Sequence, residues 1–149
     1  MKEELRKASS VFLDTSAFIY HVEKHSDYFP LTNELFAAID RGEKLAITSP
    51  VTVVEVLTKP FEKHDLAVVE EYRKRLLLHP QVKSRSIDNE VATEAARIRA
   101  NFGIKKTPDA LQLAVAKLER AQVFLTNDKE LKRFTEIQVV LSSECLVAP

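Results

Sequence analysis

The sequence is poor in glycine, with two in 149 residues, and poor in cysteine, with one. It has no excess of either charge, since 22 basic side chains face 22 acidic ones. So little glycine argues against a loop-rich β architecture and against a Gly-rich phosphate cradle. Neither a GxGxxG nor a Walker A pattern occurs. Cys145 alone excludes a disulfide framework and a cysteine-built zinc site. No apolar run approaches the ~18 residues of a membrane span. The opening MKEELRKASS is charged, and the short apolar run after it stops at Asp14, so the apolar core of a secretion signal is missing. These absences predict a soluble protein of a reducing compartment, the cytoplasm, with no membrane partner. Zero net charge does not announce a nucleic-acid partner, whose usual footprint is a strongly basic balance.

What remains is an ordinary globular composition, 45% hydrophobic and 30% charged, at a length that fits one domain. Residues 1–10 read as a loose charged arm and 11–149 as a single domain. Short β-rich runs then alternate with helical patterns. Val11-Phe12-Leu13 reads as a strand. Thr32 can cap a helix carrying Leu35, Phe36 and Ile39, with Gly42 at its end. Leu45-Ala46-Ile47 is a second strand. Ser49-Pro50 looks like an N-cap followed by proline in the first helical position. The next stretch, Val51 to Thr58, has four valines and two threonines, so propensity conflicts with the cap; helix is the favoured reading. His64 to His79 repeats apolar residues at spacings of three and four, and Pro80 ends it. Ser84 to Ile87 reads as a strand. Asp88 caps a helix closed by Gly103, and Thr107-Pro108 opens another. Gln122 to Leu125 is a strand, Lys129 to Phe134 a short helix, and Ile137 to Leu141 a last strand.

Strands separated by helices at this rhythm imply βαβ units and a parallel sheet covered on both faces. Ligands of such sheets bind at the carboxyl ends of the strands. Four carboxylates stand out by position, three of them near that edge by topology alone. Asp14 ends the first strand, Asp109 opens a helix after Thr107-Pro108, and Asp128 follows the fourth strand. Each of these three, taken singly, is also explained as a helix-start residue. Glu55 is different, because it lies between apolar pairs in Val53-Val54-Glu55-Val56-Leu57 and capping does not account for it. It either faces water or has a partner, since an unpaired buried carboxylate is costly. No histidine, at 21, 25, 64 or 79, stands beside a strand-end acid in sequence. An oxygen-only cluster suits a hard cation such as Mg²⁺ or Mn²⁺, and such a site serves phosphoryl displacement. The hydroxyls of Ser16 and Thr126 are candidates to orient the ligands.

With these residues in view, the chain resembles a PIN domain of the VapC-like type. The resemblance rests on Asp14-Thr15-Ser16, the lone Glu55, the run Asp109-Ala110-Leu111-Gln112-Leu113-Ala114-Val115-Ala116, and Leu125-Thr126-Asn127-Asp128. The four acids follow one another at spacings of 41, 54 and 19, and the likeness spans Val11 to about Leu141. It implies a three-layer α/β/α sandwich around a parallel sheet of about five strands. It implies an Mg²⁺- or Mn²⁺-dependent endoribonuclease, with Asp14, Glu55, Asp109 and Asp128 as the metal-binding and catalytic set and Ser16 and Thr126 in support. It further implies a homodimer, and a toxin held inactive by a small antitoxin protein. An RNA-processing nuclease without an antitoxin, or a degenerate PIN-fold binding module, are the alternatives. Pro108 before Asp109, and the arm before Val11, are not universal in the family.

Lys105 and Lys106 before Asp109, and Lys129, Lys132 and Arg133 after Asp128, are candidates for holding RNA phosphates. A solvated helix face is the favoured reading of them, since charge runs usually are one. Two other acidic-edge folds fit less well. An aspartate-nucleophile phosphatase wants a second acid where Ser16 stands. A phosphoacceptor receiver wants a phosphorylatable Asp ending the third strand, where Asp88 reads as a cap. If four of the 22 acids are metal ligands, 18 remain against 22 bases, and the rest of the molecule carries an excess of four positive charges. That excess predicts modest affinity for RNA, concentrated near the pocket.

Overall fold

The apolar runs form five strands: β1 (Ser10–Leu13), β2 (Leu45–Thr48), β3 (Val82–Ser84), β4 (Val123–Thr126) and β5 (Gln138–Leu141). In the computed structural model, which describes residues 1–146, they make one all-parallel sheet in the order β3-β2-β1-β4-β5. Helices fill the crossovers. After β1 come α2 (Thr15–Val22) and α3 (Phe29–Asp40); after β2, α4 (Pro50–Glu62) and α5 (Leu66–Leu77); after β3, α6 (Asn89–Phe102) and α7 (Thr107–Leu118). A short helix, α1 (Glu3–Lys7), precedes the sheet, and a 3₁₀ turn, Lys129–Arg133, joins β4 to β5.

Successive strand residues point to opposite faces. Val11, Leu13, Val123 and Leu125 therefore join α2 to α5 in one apolar cluster, while Phe12 and Phe124 join α6 and α7 in another. Phe12 and Phe124 are partners in register, and their rings stack with centroids 4.8 Å apart. With both faces covered, the expected three-layer α/β/α sandwich is the observed one. Among the described residues, no helix is long and apolar enough to cross a membrane.

Strand order places the functional edge. The chain steps from β1 outward to β2 and β3, then returns to β4 on the other side of β1. The crossovers diverge between β1 and β4, and their carboxyl ends open a crevice there. Asp14 and the Thr126–Asp128 segment leave the sheet at that point.

Helix α4 settles the conflict at Val51 to Thr58 in favour of helix. The Ser49 side chain accepts a hydrogen bond from the Val51 amide at 3.2 Å, Pro50 occupies the first turn, and Val56 packs into the core. Cap and packing outweigh β propensity. Gly103, at φ +66°, ends α6 in the left-handed conformation expected of a C′ glycine.

Four local expectations are corrected. The third strand is Val82–Ser84, not Ser84 to Ile87; as an edge strand it buries only Val82, which leaves little pattern to read. Helix α3 begins at Phe29 with Pro30 in its first turn, so Thr32 is not its cap; its buried hydroxyl donates to the Phe29 carbonyl at 3.2 Å. The helix read over His64 to His79 is shorter, Leu66–Leu77. The charged N-terminus is not loose. Leu5 is fully buried, and the Lys44 ammonium, itself 7% exposed, donates to the carbonyls of Leu5, Arg6 and Ala8 at 2.9, 2.8 and 2.5 Å. Three protons meet three carbonyls left over by the end of α1. Lys44→Met keeps the stem but strands those carbonyls. It is expected to cost about 1–2 kcal/mol in urea unfolding and to free the first residues to protease.

Candidate active site

Asp14 follows β1 and caps α2. Its Oδ1 accepts from the Ser16 amide at 3.1 Å and the Ser16 hydroxyl at 2.6 Å. Its Oδ2 accepts from the Thr126 hydroxyl at 2.5 Å, which bridges the carboxyl ends of β1 and β4. Thr126 is fully buried, and its oxygen also accepts from the Asp128 amide at 3.1 Å. Burial pushes the Asp14 carboxyl up to about 6, although the Ser16 and Thr126 donors pull it down.

The other acids arrive from three further elements. Asp128 caps the 3₁₀ turn, accepting from the Glu130 amide at 3.0 Å. Asp109 stands in the first turn of α7. Burial raises its pKa first, the charge of Asp128 raises it further, and Lys106 opposes. Glu55 is exposed on the second turn of α4. Partial burial raises it, the Asp109 charge adds to that, and the Thr15 hydroxyl and Lys106 oppose. Glu55, Asp109 and Asp128 thus form a line of mutually repelling carboxylates.

Two hollows meet at Asp128. One, of about 630 Å³, is lined by Asp14, Ser16, Thr126, Asp128 and Lys129. The other, of about 450 Å³, is lined by Lys105, Lys106, Asp109 and Asp128. Glu55 lines neither, and reaches the group through Asp109 and Thr15. Lys132 is turned away, since its ammonium pairs with Glu144, which also binds Lys2 at 3.2 Å.

Three features at the site went unread in the sequence. Gln112, one turn beyond Asp109, is buried between helices. Its Nε2 donates to the Thr52 hydroxyl at 2.7 Å, and its Oε1 accepts from the Ser49 hydroxyl. The α4 that carries Glu55 is thereby tied to the α7 that carries Asp109. A lone amide in the apolar run Ala110–Ala116 was the available signal. Asn127 donates to Tyr20 and Tyr28 at 3.2 and 3.1 Å and accepts from the Ser143 amide at 3.2 Å. Those tyrosines stack on each other at 4.5 Å, so their ring faces are used inside the fold. The Thr15 hydroxyl, beside Asp14, is buried, and the acid it serves is Glu55, whose pKa it holds down.

The donors are carboxylate and hydroxyl oxygens, the set that suits a hard cation. Three of the carboxylates are raised by burial. Among the described residues, no three His, Cys, Asp or Glu side chains close around a single point. Mg²⁺ commonly takes one or two carboxylates and keeps several waters, so a spaced set of acids fits it without a closed cage.

Fold and site define a doubly wound α/β domain with an acid-lined cleft at its switch point. The chain belongs to the PIN domain family, whose model matches residues 11–137 and whose members are in general nucleases. No curated protein matches it in sequence. Among solved structures it resembles VapBC2 of Rickettsia felis bound to a promoter DNA fragment, with a TM-score of 0.66, 15% identity, and coverage of 89% of this chain and 98% of that one. It resembles VapC20 of Mycobacterium tuberculosis, a toxin that cleaves the sarcin-ricin loop, with a TM-score of 0.65, 16% identity, and coverage of 86% and 98%. It also resembles a toxin–antitoxin complex from Klebsiella pneumoniae, with a TM-score of 0.64, 21% identity, and coverage of 89% and 97%.

Proposed function

We propose that the chain is a divalent-metal-dependent endoribonuclease of the toxin type, with Asp14, Glu55, Asp109 and Asp128 as its acidic set. The observation that carries this reading is that Asp14, Asp109 and Asp128 line two hollows that meet at Asp128, with Glu55 within the field of Asp109; three of the four are raised by burial and none is held in an ion pair within 4 Å among the described residues. Asp14 and Asp109 are the direct ligands in this reading, and Asp128 acts through water. A bound Mg²⁺ or Mn²⁺ supplies Lewis acidity, lowering the pKa of an attacking water and offsetting charge on the departing 3′ oxygen. Ser16 and Thr126 hold the Asp14 carboxylate in one orientation. Glu55, its affinity for protons raised, would be the base in this reading. Lys105, Lys106 and Lys129 counter the phosphate charge. A small antitoxin, as in the toxin–antitoxin neighbours, is one partner that accompanies this reading, and a second copy of the chain is the other.

The purified protein is expected to cleave RNA with Mg²⁺ or Mn²⁺, to stop in EDTA, and to resume when the cation is returned in excess. Cleavage that EDTA leaves untouched would overturn the reading. A small, partly disordered protein encoded next to this one would support the toxin role.

A further inference from the structure

The cations around the acids are distributed unevenly. The Asp14 hollow carries one, Lys129. The Asp109 hollow carries Lys105, Lys106 and Arg133. Beyond it a third hollow, of about 540 Å³, runs over α6 between Arg99, Lys105 and Arg133, above a floor of Ala96, Ala100 and Gly103. The second and third hollows share Gly103, Ile104, Lys105 and Arg133. They form one groove that leads away from Asp109 and Asp128.

The walls of this groove are held in place. Arg99 donates to the Ile104 carbonyl at 3.4 Å, to the Lys105 carbonyl at 3.1 Å and to the Thr107 hydroxyl at 3.1 Å. Arg133 donates to the Gly103 carbonyl at 3.5 Å. The loop between α6 and α7, with its two lysines, is thus pinned from both sides. Arg99 is exposed and spends three of its five N–H groups on the loop, which leaves two for a ligand. Ala96, Ala100 and Gly103 recur on successive turns and carry at most a methyl group, so the floor stays low. Among the described residues, Arg99, Lys105 and Lys106 make no ion pair, and the partner of Arg133, Glu130 at 3.2 Å, is itself exposed.

The geometry points to a one-sided phosphate track: a single RNA strand runs from Asp109 and Asp128 along Lys105, Arg133 and Arg99. Phosphates on that side of the scissile bond are gripped, and those on the other side meet, among the described residues of that hollow, only Lys129. This track rests on the nuclease reading and adds to it the substrate's course and the residues that hold it. It also places the cationic excess of a neutral chain where a neutral chain can use it.

The test is fluorescence anisotropy with a labelled single-stranded RNA of ten nucleotides, in EDTA so that the probe survives, across a salt series. The double variant Lys105→Ala, Arg133→Gln is expected to bind about tenfold more weakly at 0.1 M salt. Its plot of log affinity against log salt should be shallower by about 1.4, the loss of two phosphate contacts on a single strand. Both positions are exposed, and a melting curve checks that the variant is folded. A Lys59→Ala, Lys63→Ala variant, on the far end of α4, should keep the wild-type slope. A track variant with wild-type affinity and slope, while the wild type binds RNA, overturns the track alone. A wild type that neither binds nor cleaves RNA overturns the nuclease reading with it.

Discussion

Asp14→Asn is expected to lower metal-dependent RNA cleavage by about 10³-fold or more and, in the metal-free protein at neutral pH, to raise stability. The first effect follows from placing a neutral amide where the proposed cation needs a charged ligand. The second follows from burial. Asp14 is pushed from its ordinary value of 3.8 to about 6, so at pH 7 and above the folded chain carries a carboxylate that its surroundings disfavour. A rise of that size corresponds to about 3 kcal/mol. Asparagine removes the charge and keeps the Ser16 bonds, but it disturbs the bond from Thr126, which lowers the net gain to about 1–2 kcal/mol.

The sign fixes the pH window. A carboxyl whose folded pKa is raised binds its proton more tightly when folded. Its favourable contribution is complete below about pH 4 and is lost as pH rises through about 6. The stability difference between Asp14→Asn and the wild type should therefore be largest at pH 7–8 and shrink towards pH 4. The difference must be used, not the wild-type curve alone. His21, lowered to about 4 by burial and then by Arg75, gives a slope of opposite sign over nearly the same range. It is unchanged in the variant and cancels. Urea unfolding of both proteins in EDTA at four or five pH values measures this. A difference that does not vary with pH would show that Asp14 is not desolvated as described.

The sequence made the sheet legible because its strands are short, apolar and bounded by caps. Leu13-Asp14, Ser49-Pro50 and Asp88 each mark a strand-to-helix junction, and each side chain accepts the amide hydrogen bond its position predicts. Capping is local chemistry and can be read locally. The N-terminal helix could not be read this way. Its order depends on Leu5 entering the core and on Lys44, whose ammonium reaches back 36 to 39 residues. The acids were legible for a topological reason, since strand ends converge at a switch point whatever the loops do. Their neighbours were not. Lys132 stands as close to Asp128 in sequence as a phosphate-binding lysine should, yet Glu144 holds it. Arg99, 10 residues before Asp109, belongs to the groove only because its guanidinium folds back on the loop between α6 and α7.

Gln112→Leu is expected to cost about 2–4 kcal/mol and to reduce turnover by about 10²-fold at temperatures where the variant is fully folded. The stability cost arises because leucine fills much the same volume but leaves the Ser49 and Thr52 hydroxyls, both fully buried, without the amide between them. Each unmet hydroxyl costs about 1–3 kcal/mol, and leucine's apolar burial returns part of the sum. The loss of turnover has a separate cause. Glu55 and Asp109 sit on different helices, and their relative position depends on what joins α4 to α7. Gln112 is the hydrogen-bonded joint near both, and a shift of about 1 Å at a reacting group can cost 10²-fold. Val139→Ala on β5, in the same core cluster as Ala110 and Leu113 but away from the joint, is the matched control. It should lower stability and leave turnover near wild type. If both variants lose turnover in proportion to their stability, Gln112 only contributes packing. If Gln112→Leu alone loses turnover, with little change in KM, the amide sets the spacing of the two acids.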